Sequence, residues 1–190
     1  MHANSRFFSF LLAVLFSVSI FSELNAKNSG DLCDLRHGYV QAVYDYENAA
    51  KIYETIVKIK DPSAKEIAYR GALEAILTKV QGNFFDKLSL LKKSHHSLNS
   101  AVQQDPNDIE IRFLRMAVQY EIPWYLGLSN DIEKDQQFIE KNIHLFDPQK
   151  YSKENLTLIA DFIKKYDSFT SSQVKYFTEI IYGNAQSGQL

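Results

Sequence analysis

Three of the four prolines in this chain follow an aspartate, at 61–62, 105–106 and 147–148, so the Asp-Pro marks begin 44 and 42 residues apart. Proline disfavours the helical region for the residue before it and removes a backbone donor, so each mark interrupts any helix that reaches it. Between the marks, apolar residues recur at helical spacing. A chain punctuated in this way at a nearly constant period is restricted to repeated helical units. Laying the second unit on the first puts Glu110 over Glu66, Ile111 over Ile67 and Phe113 over Tyr69, while the third unit aligns poorly.

Composition fits that restriction. The 190 residues are 45% hydrophobic and 23% charged, a globular balance and enough chain for one domain with a sizeable core. Only 7 glycines and 4 prolines are present, few for the many tight turns of an all-β fold. The net charge of -2 gives no basic field, so no nucleic-acid partner is expected. Residues 1–26 read as a secretory signal peptide: Arg6, an apolar run from Phe7 to Phe21 broken only by serines, and a small-residue site at Leu24-Asn25-Ala26. That run is short for a membrane span, so the mature chain is expected to be exported, periplasmic or secreted, without a stable span; an uncleaved anchor is the alternative. Cys33 is the single cysteine, which rules out an intramolecular disulfide, and Asp31 just before it argues against lipid attachment.

Seven helices are expected. In the first, residues 34–60, Tyr39, Val43, Tyr46, Ala50, Tyr53 and Val57 form one face with Ala42, Ala49 and Ile56 alongside, and Glu47, Lys51, Glu54 and Lys58 lie opposite. Ser63 and Glu66 form a capping box for a second helix running to about Val80, whose Ala68, Gly71, Ala72 and Ala75 allow a close neighbour. The third carries Phe84, Leu88, Leu91, His95, Leu98 and Val102. His95 reads as a core-edge histidine, because neither an HExxH motif nor a Cys/His cluster accompanies it; no metal or cofactor is expected.

The fourth helix, capped at Asp108, has two apolar stripes: Ile109, Phe113, Met116 and Tyr120, and Ile111, Leu114, Val118 and Ile122. Two stripes imply neighbours on both sides. Asp108, Arg112, Arg115 and Gln119 make up the remaining polar strip, and Pro123 ends the helix before an apolar loop, Trp124 to Leu128. Asn130 or Asp131 caps a fifth helix whose early acids, Asp131, Glu133 and Asp135, suit the helix dipole and whose Ile132, Ile139, Ile143 and Phe146 face inward. Ser152 caps a sixth, built on Leu156, Ile159, Ala160 and Ile163. Ser171 caps a seventh, with Val174, Phe177 and Ile181 inward and Gly183 at its end, before a frayed tail from 184 to 190.

Ala101-Val102-Gln103-Gln104-Asp105-Pro106-Asn107 resembles the end of a tetratricopeptide repeat, in which an alanine precedes a turn proline by five residues, as Ala101 precedes Pro106. Gly71-Ala72 is similar to the small pair in the first helix of such a repeat. The likeness covers Ser63 to Asn107 with elongated helices, since Gly71 lies 35 residues before Pro106, more than a repeat of about 34 allows. The layout is also similar to exported bacterial proteins with a central Arg-Phe-Leu-Arg helix, here Arg112 to Arg115. The resemblance implies an all-α fold of antiparallel helix hairpins stacked as a short right-handed superhelix over residues 27–183, and it implies no activity.

Helix-hairpin arrays present a concave face to extended peptides or helices. The expected function is therefore a non-enzymatic interaction or scaffold module whose partner is a protein or extended peptide. The candidate surface is Arg112, Arg115 and Gln119 with Tyr120, Trp124 and Tyr125, a mix of arginine and aromatics enriched at binding hot spots. Against it, Arg112 can simply pair with Asp108 one turn away, and Trp124 can plug the core. A small apolar-ligand carrier using the tyrosine stripe and the aromatic loop is the second reading, and would need an enclosed cavity near Trp124. An enzyme is the third, although the chain has no GxSxG, HExxH or phosphate-loop motif and its helical acids are spaced like solvated faces.

Overall fold

The computed structural model describes residues 32–166 and 169–183, so the expected signal peptide and the tail lie outside the described residues. The chain divides into Met1–Asp34 and Leu35–Leu190. Of the first unit only residues 32–34 are described, including an exposed Cys33. The second holds everything below.

The fold is all-helical. Among the described residues eight α-helices and no strands occur: α1 (residues 32–44), α2 (Tyr46–Ile56), α3 (Ala64–Leu77), α4 (Phe84–Gln104), α5 (Ile109–Glu121), α6 (Ile132–Asn142), α7 (Lys153–Lys165) and α8 (Ser171–Gly183). Short 3-10 turns follow α5 (Trp124–Leu126), follow α6 (Ile143–Leu145) and precede α7 (Pro148–Lys150). Each Asp-Pro mark falls in a link between helices.

The eighth helix arises at Asp45, inside what the 3.6-residue periodicity reads as one long helix. Asp45 leaves the helical region (φ -138°, ψ 99°), accepts the Glu47 N–H at 3.1 Å and the Asn48 Nδ2–H at 2.9 Å, and so caps α2. The break moves the buried face. Ala42, Ala49 and Ile56 are buried, whereas Tyr46, Ala50 and Val57 are exposed.

The Ser63–Glu66 capping box forms as the sequence predicts, with Glu66 accepting the Ser63 N–H at 2.7 Å. Helix α3 packs along α4, and Gly71 shows how closely. A Cβ built there would sit 2.9 Å from Leu98 Cγ, 3.0 Å from Ser97 Cβ and 3.1 Å from the Ser94 carbonyl oxygen. Only the second half of α4 is core, with Ser94, Ser97, Leu98, Ala101 and Val102 buried, while Phe84 and Phe85 at its start are exposed.

Helix α5 is the hub, packing on α3, α4 and α6. Its Met116, with Ile109, Phe113 and Tyr120, joins a cluster of Ile139, Ile143, Leu156, Ile163, Phe169, Phe177 and Ile181 from α6, α7 and α8 and the segments around them. Its other stripe, Ile111, Leu114, Val118 and Ile122, is buried as well. Two-sided packing is therefore what the double stripe encodes. Ser152 and Asn155 form a second capping box. At α8 the cap lies one residue earlier than Ser171: Thr170 Oγ1 accepts the Gln173 N–H at 3.3 Å, and Gln173 Oε1 accepts the Thr170 N–H at 2.8 Å. A threonine hydroxyl with a glutamine three residues on satisfies two helix-end donors at once, which Ser171 has no partner to do.

Candidate functional site

The strip of α5 left over from its apolar stripes is not solvated. Arg112, Arg115 and Gln119 are 7%, 4% and 2% exposed. The two arginines share one acceptor, Asp135, read from sequence as a dipole-matching acid on α6 and in fact 0% exposed. Arg115 donates from Nε to Asp135 Oδ2 at 2.6 Å and from Nη2 to Oδ1 at 2.7 Å, while Arg112 Nη1 reaches Oδ1 at 2.9 Å. Arg112 spends its other donors on the Pro106 carbonyl, at 3.1 and 2.8 Å, and lies over the Phe138 ring. Arg112 thus clamps the Asp-Pro turn to α6. It makes no pair with Asp108, which caps α5 and pairs with Lys65.

The network continues outward. Arg115 Nη1 donates to Asn99 Oδ1 at 2.8 Å, which turns the Asn99 amide nitrogen toward His95 Nε2 at 3.0 Å. His95 Nε2 must then accept, so Nδ1 carries the proton and donates to the Leu128 carbonyl at 3.2 Å. His95 therefore ties the loop after α5 to α4. Gln119 accepts the Asp131 N–H at 2.9 Å, so the start of α6 is served by a side chain of α5 and not by an aspartate cap.

A second buried pair sits on another side of α5. Arg36 of α1 grips Glu110 bidentately, Nε to Oε1 at 2.7 Å and Nη2 to Oε2 at 2.8 Å, with the Tyr69 hydroxyl donating to Oε1 at 2.7 Å. Arg36 also donates to the Lys150 carbonyl at 3.1 Å and stacks on Tyr151. Burial works to raise the Glu110 pKa, but the hydrogen bonds and charge of Arg36, with help from Lys65 and Tyr69, outweigh it and hold the carboxyl below its ordinary 4.5. Burial first, and then Glu110, push the Tyr69 hydroxyl well above the usual tyrosine range. Glu74 is a third buried acid, accepting from Tyr53 at 3.0 Å and Ser97 at 2.9 Å. The helical acids that matter to the fold are therefore not the solvated faces that their spacing suggests.

With these charges engaged internally, the open feature beside α5 is apolar. A groove of about 470 Å³ runs between α1, α3, α5 and α7. Its lining combines small residues (Ala72, Ala75, Ala117), aromatics (Tyr39, Tyr44, Phe113, Phe162) and the charged Lys79, Glu121, Asp161 and Lys165. Burial, and then the charge of Glu121, push the Tyr39 hydroxyl up to about 12, so it stays a neutral donor. Lys165 donates to Glu121 at 2.7 Å, and Tyr166 bonds the same oxygen, which lowers the Glu121 pKa. Beneath lies a small, mostly apolar cavity of about 60 Å³ between Tyr39, Tyr69, Phe113, Tyr151 and Ile163.

Of the six residues singled out from sequence, Arg112, Arg115 and Gln119 are therefore buried and bonded within the fold. Tyr120 is half-buried and stacked on Tyr166. Trp124 and Tyr125 are 84% and 69% exposed, touch each other edge to face, and line neither the groove nor the small cavity. Trp124 does not plug the core. The sequence points to Tyr39 and Tyr46 of the groove through the tyrosine stripe and to Ala72 and Ala75 as small residues, but not to Ala117 and Phe162, which become their neighbours only when α5 and α7 assemble on α3. Among the described residues no group of three or more His, Cys, Asp or Glu could hold a metal ion, and no helix is long and apolar enough to cross a membrane. Comparison with protein-family models, curated proteins and solved structures gives no match.

Proposed function

We propose that this protein is a non-enzymatic, tetratricopeptide-like interaction module, exported by its N-terminal segment, which grips an apolar-faced helix or extended segment of a protein partner in the groove between α1, α3, α5 and α7. The observation that carries this reading is the groove itself: a mostly apolar channel of about 470 Å³ whose lining includes small residues and charges of both signs. An amphipathic helix lays its apolar stripe into such a channel and sets its register with flanking charges. Lys79 favours an acidic residue beside the partner's apolar stripe and Asp161 a basic one, while Lys165 is paired with Glu121. The buried acids Glu74, Glu110 and Asp135 all hold hydrogen bonds within the fold, which leaves them poorly placed for acid–base chemistry.

A photo-crosslinking residue in place of Lys79 tests the reading, with the exposed Lys134 of α6 as control. A discrete protein adduct from position 79 and none from 134 is expected; no adduct, or the same adducts from both, removes the proposal. The groove volume also lies within the range of about 300–1,000 Å³ typical of small-molecule sites, which favours an apolar-ligand carrier as the second reading. Organic extraction of the purified protein followed by mass spectrometry separates the two.

A further inference from the structure

A separate trough on the α3–α4 hairpin carries the opposite chemistry. It is a surface concavity of about 460 Å³ lined by Arg70 and Glu74 of α3 and by Ser89, Lys92, Lys93, His96 and Ser97 of α4. The α4 residues fall at helical spacing on one face, so their side chains converge on the trough. From Lys87 to Gln104 that helix has no Asp or Glu, in a chain whose net charge is -2. Ordinary solvated helix faces alternate sign, and this one does not.

The cations are also free. Arg70, Lys92 and Lys93 belong to none of the ion pairs among the described residues. Arg70 Nε lies buried without a hydrogen-bond partner, so it is through the rest of the guanidinium that Arg70 faces the trough. The one acid in the trough, Glu74, accepts from Tyr53 and Ser97 and belongs to none of the ion pairs among the described residues.

We infer that this trough is a binding site for a phosphate monoester, carried on a soluble metabolite or a lipid headgroup. Arg70 offers the planar fork that matches two phosphate oxygens, Lys92 and Lys93 supply point charges from the facing helix, and Ser89 adds a hydroxyl. Convergence of donors from two helices suits a tetrahedral dianion with several acceptor oxygens better than a single planar carboxylate.

The test uses the full chain and two probes: glycerol phosphate followed by amide chemical shifts and calorimetry, and vesicles of phosphatidylcholine with or without phosphatidic acid followed by co-sedimentation. Saturable shifts at Arg70, Ser89, Lys92 and Lys93 are expected. Lys92→Ala/Lys93→Ala should weaken binding by about tenfold or more, as loss of charge-assisted hydrogen bonds does, with an unchanged circular dichroism spectrum. Arg70→Gln tests the fork from the other helix. Vesicle binding that requires phosphatidic acid and these residues assigns a lipid headgroup, and binding of glycerol phosphate alone assigns a soluble ligand. Absence of saturable binding to both probes, or affinity unchanged in the double variant, overturns the inference.

Discussion

Replacing Asp135 with alanine should be among the most damaging single substitutions in this chain. The carboxylate is fully buried and accepts three hydrogen bonds, at 2.6, 2.7 and 2.9 Å, from two guanidiniums that are themselves buried. Removing it leaves the buried Arg112 without a carboxylate and Arg115 with only the longer contact to Asp131 at 3.6 Å. Breaking a buried ion pair in this way costs about 3–5 kcal/mol. One stranded cation, a second left with a weaker partner, and a small cavity place Asp135→Ala at about 4 kcal/mol in that range, against a total stability of about 5–15 kcal/mol for a domain. With a urea dependence of about 2 kcal/mol per molar, the midpoint should fall by about 2 M. Urea titration followed by far-ultraviolet circular dichroism reads this directly. A companion variant separates charge from fold: Arg112→Met/Arg115→Met/Asp135→Leu removes the three buried charges together and should recover most of the loss, because an apolar replacement of a buried ion cluster is often neutral or stabilising. A loss below about 1 kcal/mol for Asp135→Ala would refute the reasoning, since it would mean that water or another group compensates the arginines.

Three other substitutions probe the remaining parts of the fold. Glu110→Gln should destabilise the protein by about 3 kcal/mol through Arg36. Because the folded-state pKa of Glu110 is depressed, its contribution is present above the unfolded value near 4.5 and is lost as pH falls through the folded value, so acid titrations of stability should be flatter in the variant. Gly71→Ala should destabilise despite a better helix propensity: the new methyl meets Leu98 Cγ at 2.9 Å and a backbone oxygen at 3.1 Å, and overpacking of about 1–3 kcal/mol exceeds a propensity gain of about 1. A raised melting temperature would contradict that. Trp124→Ala/Tyr125→Ala should leave the denaturation midpoint within about 0.5 kcal/mol of the parent, because both side chains project from the surface.

Punctuation and packing faces were largely legible from the sequence, because they rest on local chemistry. Ser63–Glu66, Asp108 and Ser152 each act within one helical turn, and the double stripe of α5 follows from its own residues. Asp45 escaped because it sits among polar residues on an outer face and the apolar stepping runs straight across it. The arginine strip misled for a different reason. Arg112 and Arg115 looked solvent-facing because their acceptor is 20 or more residues away on another helix, and nothing in the spacing singles out Asp135 from Asp131 or Glu133. One clue was available: two apolar stripes flanking a narrow polar strip leave little room for solvent around α5. The groove was the least legible feature, since its lining comes from six helices, α1 to α5 and α7, that meet only in the folded chain.

The central claim is that the arginines of α5 hold the fold while the apolar groove beside them holds the partner. Its most direct test compares two variants carrying the crosslinking residue at position 79: Ala75→Trp, which fills the groove, and Trp124→Ala/Tyr125→Ala, which strips the exposed loop. The account predicts that the protein adduct disappears in the first and persists in the second, with both variants folded. Loss of the adduct in the loop variant and its survival in Ala75→Trp would contradict it, and would place the binding surface on the loop after α5.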